Sequence, residues 1–294
     1  MSDATVTAKR QGPSWLILPG IVWMALFMVV PIAMICYVSF WTQTTFNISS
    51  TPTLASWKQF FASDTYTGAL WTTVRIWLIV LATTFIIGYP TALFVGLFVK
   101  SKTLSTVLLV VCVIPFWTSF LIRVLAWRPM LGKEGAINII LQKLHIISQP
   151  IEVLLFTELS VIIGMSQIYC VFMVGPIAFM LGRIDRNIIE AARDLGAGFG
   201  RIFWKIIFPM MRPITATVAI INALWIWNDF LLPRLVLTDE TQTLPLSTYL
   251  FYGQYSIEYG QAMAGLVLAV IPIVIFYLVL QKQFISGISQ GAVK

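Results

Sequence analysis

The sequence predicts an all-α integral membrane protein with six transmembrane helices. Three observations support this prediction: the composition, six long apolar segments, and an uneven distribution of lysine and arginine. Of the 294 residues, 59% are hydrophobic and only 11% are charged, and the mean hydropathy is +0.88. A soluble domain has about 25% charged residues, so this chain has too few to cover a soluble surface.

Each apolar segment is close to or above the ~20 residues that a helix needs to cross the hydrocarbon of a bilayer. Helices are expected because lipid cannot satisfy the open edge of a sheet, and the sequence lacks the alternating ten-residue segments of a transmembrane barrel. The first segment contains Pro19 and Pro31 and is followed by no small-residue cleavage site, so we interpret it as a retained span. The six predicted spans are Trp15–Trp41, Thr72–Val99, Leu104–Trp127, Leu159–Gly182, Ile214–Leu232 and Ala262–Leu280.

The lysine and arginine residues predict the orientation. Twelve of the 19 lie in the two tails and in the second and fourth connections, whereas five lie in the other connections. Because positive residues concentrate on the cytoplasmic side, both termini are predicted to be cytoplasmic. The predicted organisation is a tail at 1–14, a six-helix domain at 15–281 with a charged cytoplasmic insert at 183–213, and a tail at 282–294. This topology explains the net charge of +7 without a nucleic-acid partner.

Few residues of the kind that bind metals or perform covalent chemistry are present. Cys36, Cys112 and Cys170 all lie in apolar segments and are interpreted as small buried hydrophobes, and His145 is the only histidine. We therefore predict no metal site, no catalytic residue and no cofactor bound by this chain. An intramembrane enzyme would need clustered catalytic groups in the spans, and the sequence does not provide them.

Two of the predicted outer connections are long enough to contain short helices. The connection from Arg128 to Glu158 includes the amphipathic stretch INIILQKLHII, and the connection from Pro233 to Gln261 includes TLPLSTYLFYGQYS. We expect short helices at the membrane surface in both.

The charged insert predicts a short amphipathic helix from Ile188 to Leu195. Asn187 is a good N-cap, Glu190 follows it at the capping-box position, and Gly196 is the usual residue for a left-handed helix stop. On this helix Ile188, Ala192 and Leu195 share one face, with Ile189 beside it. The small Ala191 and Ala192 allow a partner to approach closely, so the helix suits docking into a groove of another protein. The alternative is a basic loop that lies on the membrane surface.

The rest of the insert predicts a sharp turn and a second amphipathic segment. GAGFG allows the turn, and the apolar positions between Ile202 and Met210 recur at helical spacing. Pro209 and Pro213 are expected to break this segment before the fifth span. GAGFG is interpreted as a turn because no strand precedes it. The sequence has no G-x-x-x-x-G-K-[ST], so we expect no binding of ATP phosphates by this chain.

EAARDLGAGFGRIFWKIIFPMMRP closely resembles the EAA loop of permease subunits of binding-protein-dependent ABC importers. The matching residues are Glu190, Ala191, Ala192, Gly196 and the pair Phe208–Pro209, where the family usually has Leu or Ile before the proline. Six spans with the insert between the fourth and fifth are the core architecture of that family, so the resemblance extends over the entire chain and implies the type I ABC importer permease fold.

The resemblance implies that the insert helix is a coupling helix that docks into a cleft on a cytoplasmic ATPase, with Glu190 paired to a basic group there. It implies a second permease subunit, a related chain being favoured over an identical copy, and two ATPase subunits that bind ATP and Mg. It also implies an extracytoplasmic solute-binding protein and a place in the bacterial inner membrane, surrounded by lipid. By residue match, the implied coupling residues are Ile188, Ile189, Glu190, Ala191, Ala192, Asp194, Leu195 and Gly196.

Two subfamily resemblances point to different solutes. IPFWTSFLIRVLAW resembles the third span of polyamine-type permeases, whereas WNDFLLPRLVLTDETQTLPL and QKQFISGISQGAVK resemble carbohydrate-type permeases. Intramembrane charge often marks a solute pathway; Asp229 is the only acidic residue within the predicted spans, and Glu158 lies just outside the fourth. A polycation is expected to need several carboxylates along its path, and one is few. Aromatic side chains suit either a sugar ring or a cation, so they do not decide between the two solutes.

Nine polar, charged or aromatic residues in or beside the spans are candidates for a solute path or gate. The alternatives are an ion pair between Arg123 and Asp229, hydrogen bonds between neighbouring helices, and aromatic packing. The candidates are Arg123, Trp117, Thr118, Gln167, Tyr169, Trp225, Trp227, Asn228 and Asp229.

An ion-coupled secondary transporter is the main alternative function. Such a protein is expected to carry broken helices at matching positions in its two halves. The sequence shows no such pairing, and a docking helix would have no purpose in it.

Overall fold

The computed structural model describes residues 14–44, 47–49, 51–238, 241–248 and 259–292. The predicted N-terminal tail up to residue 13 therefore lies outside the described residues. These residues contain twelve helices, which in chain order are α1 Trp15–Val38, α2 Ala55–Ala62, α3 Asp64–Phe98, α4 Lys102–Val113, α5 Phe120–Leu131, α6 Ala136–Lys143, α7 Glu158–Leu181, α8 Arg186–Asp194, α9 Phe199–Asn228, α10 Leu231–Val236, α11 Leu244–Ser247 and α12 Tyr259–Ala292. Short 3-10 turns lie at Ser14–Ile17, Ile114–Trp117 and Glu152–Leu154, and π turns lie at Ala25–Val29, Phe94–Phe98 and Phe203–Ile207.

Within the described ranges, five helices are long and apolar enough to cross a membrane, namely α1, α3, α7, α9 and the Gly260–Lys282 part of α12. The predicted span Leu104–Trp127 is not a continuous helix, which corrects the expectation of six uninterrupted spans. It consists of α4, the 3-10 turn Ile114–Trp117 and α5. Pro115 lies in that turn, and Thr118, directly after the turn, has an extended backbone, so the helical hydrogen bonds end there.

The predicted break at Pro209 and Pro213 is wrong, because α9 continues through both prolines. A π turn at Phe203–Ile207 ends two residues before Pro209, and the Phe208 N–H donates to the Phe203 carbonyl five residues back. In an α-helix the ring of a proline clashes with the carbonyl of the preceding turn. The wider π turn changes the hydrogen-bond register at this point, so the helix can continue through Pro209. The second segment of the insert, from Phe199 onward, and the fifth predicted span therefore form one helix.

The last helix also differs from the prediction. We expected residues 282–294 to form a tail, but α12 continues as far as Ala292.

The first predicted outer connection contains the two short strands β1 (Thr42–Thr44) and β2 (Asn47–Ser49), which pair antiparallel with Gln43 opposite Ile48. Apart from this hairpin, the regular structure of the described residues is helical, as predicted.

The core is built around α3 and α7, with α9 packed on both helices and α12 packed on α9. Gly88 and Gly96 on α3 allow the close approach. A Cβ atom on Gly88 would lie 2.8 Å from the Met173 Cβ, and a Cβ atom on Gly96 would lie 2.8 Å from the Ala178 carbonyl oxygen. Without side chains at these two positions, the backbones of α3 and α7 come into contact.

Two buried indoles join the helices at the end of the bundle away from the insert. The Trp77 Nε1–H donates to the Ala223 carbonyl at 2.9 Å, and the Trp227 Nε1–H donates to the Ala269 carbonyl at 2.7 Å. The two rings meet edge to face with centroids 5.5 Å apart. Because both donors are satisfied, these large side chains are buried without leaving an unpaired polar group.

The connection between α5 and α7 contains a short helix, α6, as the amphipathic pattern predicts. Asn138 on α6 is completely buried. Its Nδ2 donates to the carbonyls of Gly132 (3.0 Å) and Ile151 (3.2 Å), and its Oδ1 accepts from the Ile151 N–H at 2.8 Å. One side chain thus closes the loop by binding backbone on both sides of it.

We expect Asn138→Ala to destabilise this loop by about 2–3 kcal/mol, because buried backbone groups would lose their partners. The loop should become more sensitive to proteolysis, and the unfolding temperature in detergent should fall. Lys143→Ala, on an exposed residue of the same helix, is the control and should change neither. Equal protease resistance in the wild type and in Asn138→Ala would contradict this account of the loop.

Candidate functional site

Helix α8 is capped at both ends, but not by the residue predicted for its start. The cap is Asp185, whose Oδ1 accepts from the Asn187 N–H at 3.0 Å, so the helix begins at Arg186 and the prediction of Asn187 as the N-cap is wrong. A carboxylate suits this position because it also interacts favourably with the positive end of the helix dipole.

The predicted C-terminal stop is confirmed. Gly196 has a φ of +77°, in the left-handed region. Its N–H donates to the Arg193 carbonyl at 2.8 Å, and the Ala197 N–H donates to the Ala192 carbonyl at 3.0 Å. These are the two hydrogen bonds of a Schellman ending, which fixes the last turn of α8.

The apolar residues of α8 divide between an inner and an outer side. Ile189 and Ala192 are partly buried and pack against the core cluster of α3, α7 and α9. Ile188, Ala191 and Leu195, here called the outer stripe, are exposed, and Leu195 has 88% of its surface open. The predicted face of Ile188, Ala192 and Leu195 is therefore corrected, because Ala192 packs inward and Ala191 takes its place.

Glu190 is exposed but does not belong to the outer stripe. It shares another stripe with Arg186 and Arg193, at spacings of four and three residues, and this stripe faces Lys100 beyond the end of α3 across a cleft. The remaining predicted residue of the helix, Asp194, is also exposed.

The insert is joined to the spans by aromatic and aliphatic packing. The ring of Phe199, at the start of α9, lies 5.4 Å from that of Phe98, at the end of α3. Ile202 and Ile207 on α9 are buried in the same cluster as Leu181 of α7. Since α8 is linked to α9 by a short turn and packs on the same cluster, movement of α8 has a direct mechanical route to the spans.

Two of the predicted path residues form a buried pair at the opposite end. The Tyr169 hydroxyl on α7 donates to Oδ2 of Asp229 at 2.7 Å, and Oδ1 of Asp229 accepts from the Leu232 N–H at 3.3 Å. Asp229 is only 7% exposed. The two hydrogen bonds engage both carboxylate oxygens of Asp229, and they join α7 to the first turn of α10.

Several predicted path residues lie close to this pair. The Arg123 guanidinium lies 5.9 Å from the Phe120 ring centre and is near enough to interact electrostatically with the Tyr169 hydroxyl. Trp225 is 45% exposed and packs edge to face with Phe172. Arg123, Tyr169, Trp225 and Asp229 are therefore brought together.

The other predicted path residues are scattered. Trp227 is buried in the core, as described above, and Asn228 is exposed and bonds to the Leu224 carbonyl of its own helix. Trp117 is 89% exposed at the break between α4 and α5, where Thr118 donates to the Pro115 carbonyl. None of the hydrogen bonds described for these four residues involves the Tyr169–Asp229 pair.

A mainly apolar groove between α3, α4 and α7 was not predicted from the sequence, although its wall includes the predicted path residue Gln167. It has a volume of about 660 Å³, and its wall includes Thr83 and Ser166, whose hydroxyl oxygens lie 2.6 Å apart. The signal in the sequence that could have indicated this groove was the presence of single small polar residues inside apolar spans.

Elsewhere, Arg75 on α3 forms an ion pair with Glu158 at the start of α7.

The fold and the site define a class of protein: a multi-pass helical membrane protein with a doubly capped helix whose apolar outer stripe is not covered by the part of the chain that the structure describes. Residues 88–290 match the family described as binding-protein-dependent transport system inner membrane component, and the chain belongs to this family.

Individual relatives have different solutes in their names. The chain is 43% identical over 112 residues to the probable starch degradation products transport system permease protein AmyC of Thermoanaerobacterium thermosulfurigenes, over 38% of this chain and 41% of that protein. It is 33% identical over 195 residues to the spermidine/putrescine transport system permease protein PotB of Haemophilus influenzae, over 65% of this chain and 66% of that protein. The matches thus span about two fifths and about two thirds of these relatives.

Solved structures share the fold. A chain of a bacterial alginate ABC transporter, in complex with an alginate pentasaccharide-bound periplasmic protein, aligns with a TM-score of 0.69 at 18% identity, over 90% of this chain and 91% of that chain. A chain of the MetNI methionine ABC transporter aligns with a TM-score of 0.51, also at 18% identity, over 74% and 94%. The predicted all-α permease fold is confirmed.

Proposed function

We propose that this chain is one of two permease subunits of an ATP-driven importer in the bacterial inner membrane. The observation that carries the proposal is the outer stripe of α8, where Ile188 and the 88% exposed Leu195 present apolar surface on a helix fixed at both ends. A rigid amphipathic helix with its apolar side uncovered suits insertion into a groove of a partner. Family membership supports a cytoplasmic ATPase as that partner.

The mechanism follows from how α8 is attached. Two ATPase subunits bind ATP and Mg, and their movement on ATP binding displaces α8 through the outer stripe. The packing of Phe199 on Phe98, and the continuity of α9 through Pro209, pass this displacement to α3 and α9. The spans then expose the solute path to one side of the membrane at a time. This chain itself performs no covalent chemistry.

The solute is a small polar organic molecule of the sugar or polyamine kind, received from an extracytoplasmic binding protein. The names of the relatives support both kinds, and the binding-protein complex of the alginate transporter supports this mode of delivery. The exposed Trp225 and nearby Arg123 are the candidate contacts at the end of the bundle away from the insert. Because Asp229 is engaged by Tyr169 and Leu232, we assign it a positioning role.

We expect Asp229→Asn to reduce uptake of a cationic and of a neutral solute to the same fraction. The carboxylate makes charge-assisted hydrogen bonds that hold α10 against α7, and a neutral amide would weaken them by about 1–2 kcal/mol. Uptake of spermidine and of maltotriose into proteoliposomes is the measurement, alongside the unfolding temperature in detergent. Asp64→Asn, on an exposed carboxylate, is the control. A loss confined to the cation would show that Asp229 contacts the solute.

The proposal is tested by a crosslink at the outer stripe. Leu195→Cys should form a disulfide or a bismaleimide crosslink with an ATPase subunit expressed from the same host. Trp204→Cys, on an exposed α9 residue outside α8, serves as the comparison position. If Leu195→Cys reacts freely with a soluble maleimide in the purified complex and never crosslinks to an ATPase, the docking role is wrong.

A further inference from the structure

The inner side of α8 borders a basic cleft, defined here by Lys100, Arg186, Glu190 and Arg193. The cleft has a volume of about 230 Å³ and lies between α8 and the ends of α3 and α9 nearest the insert. Three cations and one carboxylate line it. Among the described residues none of these four forms an ion pair with another side chain, so the cleft retains an excess of positive charge.

The wall of the cleft next to α3 is apolar and aromatic. Phe98 is the last residue of the apolar helix α3, Lys100 follows two residues later, and the half-exposed Phe199 packs against Phe98 with its ring tilted. The change from Phe98 to Lys100 marks the point at which the chain leaves the hydrocarbon. The cleft therefore lies at the level of the lipid headgroups, with cations outside and aromatic rings towards the membrane.

We propose that the basic cleft binds the phosphate headgroup of an anionic phospholipid. Lysine and arginine offer the phosphate three cationic partners, and the arginines can donate two hydrogen bonds each to its oxygens. Phe98 and Phe199 contact the glycerol and the first methylenes of the acyl chains. Basic pockets at this depth are the sites at which membrane proteins hold anionic lipids.

The lipid and the ATPase would use different sides of the same helix. The cleft is bordered by Arg186, Glu190 and Arg193, whereas the outer stripe is Ile188, Ala191 and Leu195. A partner on the outer stripe leaves the cleft open to the membrane. The inference therefore rests on the membrane-spanning fold and does not depend on the proposed ATPase partner.

The probe is phosphatidylglycerol, offered to the purified complex in detergent and counted as bound lipid by native mass spectrometry, with phosphatidylcholine as the neutral competitor. A cation close to an anionic lipid surface contributes about fivefold in affinity. We therefore expect Lys100→Gln and Arg193→Gln each to weaken phosphatidylglycerol binding about fivefold. Lys102→Gln, two residues from Lys100 and not part of the cleft, should leave it unchanged. Arg193→Lys should retain most of the binding.

Three results would overturn the proposal. The first is equal binding of the two lipids to the wild type, or an equal loss in Lys102→Gln and Lys100→Gln. The second is displacement of phosphatidylglycerol by inorganic phosphate at the same concentration, which would identify a soluble anion as the ligand. The third is bound lipid that disappears when ATPase subunits are present and returns when they are removed, which would identify the ATPase as the occupant.

Discussion

Glu190→Lys is expected to lower solute uptake by about tenfold or more while the protein still inserts into the membrane and folds. Coupling free energies between sites are typically 1–3 kcal/mol, or about 5–150-fold, and a charge reversal on the coupling helix removes much of this. The lysine would add a fourth cation beside Lys100, Arg186 and Arg193. ATP hydrolysis should continue, but without transport.

The measurement is ATP hydrolysis and solute uptake on the same proteoliposomes, so that their ratio reports coupling. Asp64→Lys makes the same change of charge on an exposed carboxylate far from the insert and should leave the ratio unchanged. Glu190→Gln removes the charge without reversing it and should give an intermediate ratio. An unchanged ratio in Glu190→Lys would count strongly against a coupling role for this residue.

Gly96→Leu is expected to prevent the spans from packing, and Gly96→Ala to destabilise the fold by about 2 kcal/mol or more. A Cβ atom at this position would lie 2.7 Å from the Leu181 Cβ and 2.8 Å from the Ala178 carbonyl oxygen. Backbone cannot rotate aside as a long side chain can, so α3 and α7 would have to separate. Their separation would also disturb the cluster on which α8 rests.

Gly175→Leu on α7 is the matched control, because no atom lies within 4 Å of its Cβ position. Size-exclusion chromatography and thermal unfolding in detergent would compare the variants. Gly175→Leu should behave like the wild type, Gly96→Ala should unfold at a lower temperature, and Gly96→Leu should aggregate. A Gly96→Leu protein that elutes and melts as the wild type does would show that the close approach of α3 and α7 is not needed.

The sequence predicted the features that arise from local chemistry. Apolar length located five continuous spans, and Gly196 marked the end of α8 because few other residues adopt a positive φ easily. The start of α8 was wrong by two residues because Asp185 and Asn187 are both good caps, and only the backbone conformation distinguishes them.

The features missed from the sequence depend on tertiary context. Pro115 ends a helix, whereas Pro209 lies within one because a π turn accommodates it. The presence of a proline in the sequence does not distinguish these two cases. The pairing of Asp229 with Tyr169 joins residues 60 positions apart, and no local pattern indicates it. The same holds for Ala191 and Ala192, of which only Ala192 packs on the core.

The central claim is that ATP hydrolysis by a partner, transmitted through α8, drives solute across this chain. The most direct test is solute uptake by proteoliposomes that contain the purified complex and its solute-binding protein, with ATP, without ATP, and with a non-hydrolysable ATP analogue. We predict sustained uptake with ATP and none in the other two conditions. Undiminished uptake without ATP, driven by an ion gradient, would contradict the account and favour a secondary transporter.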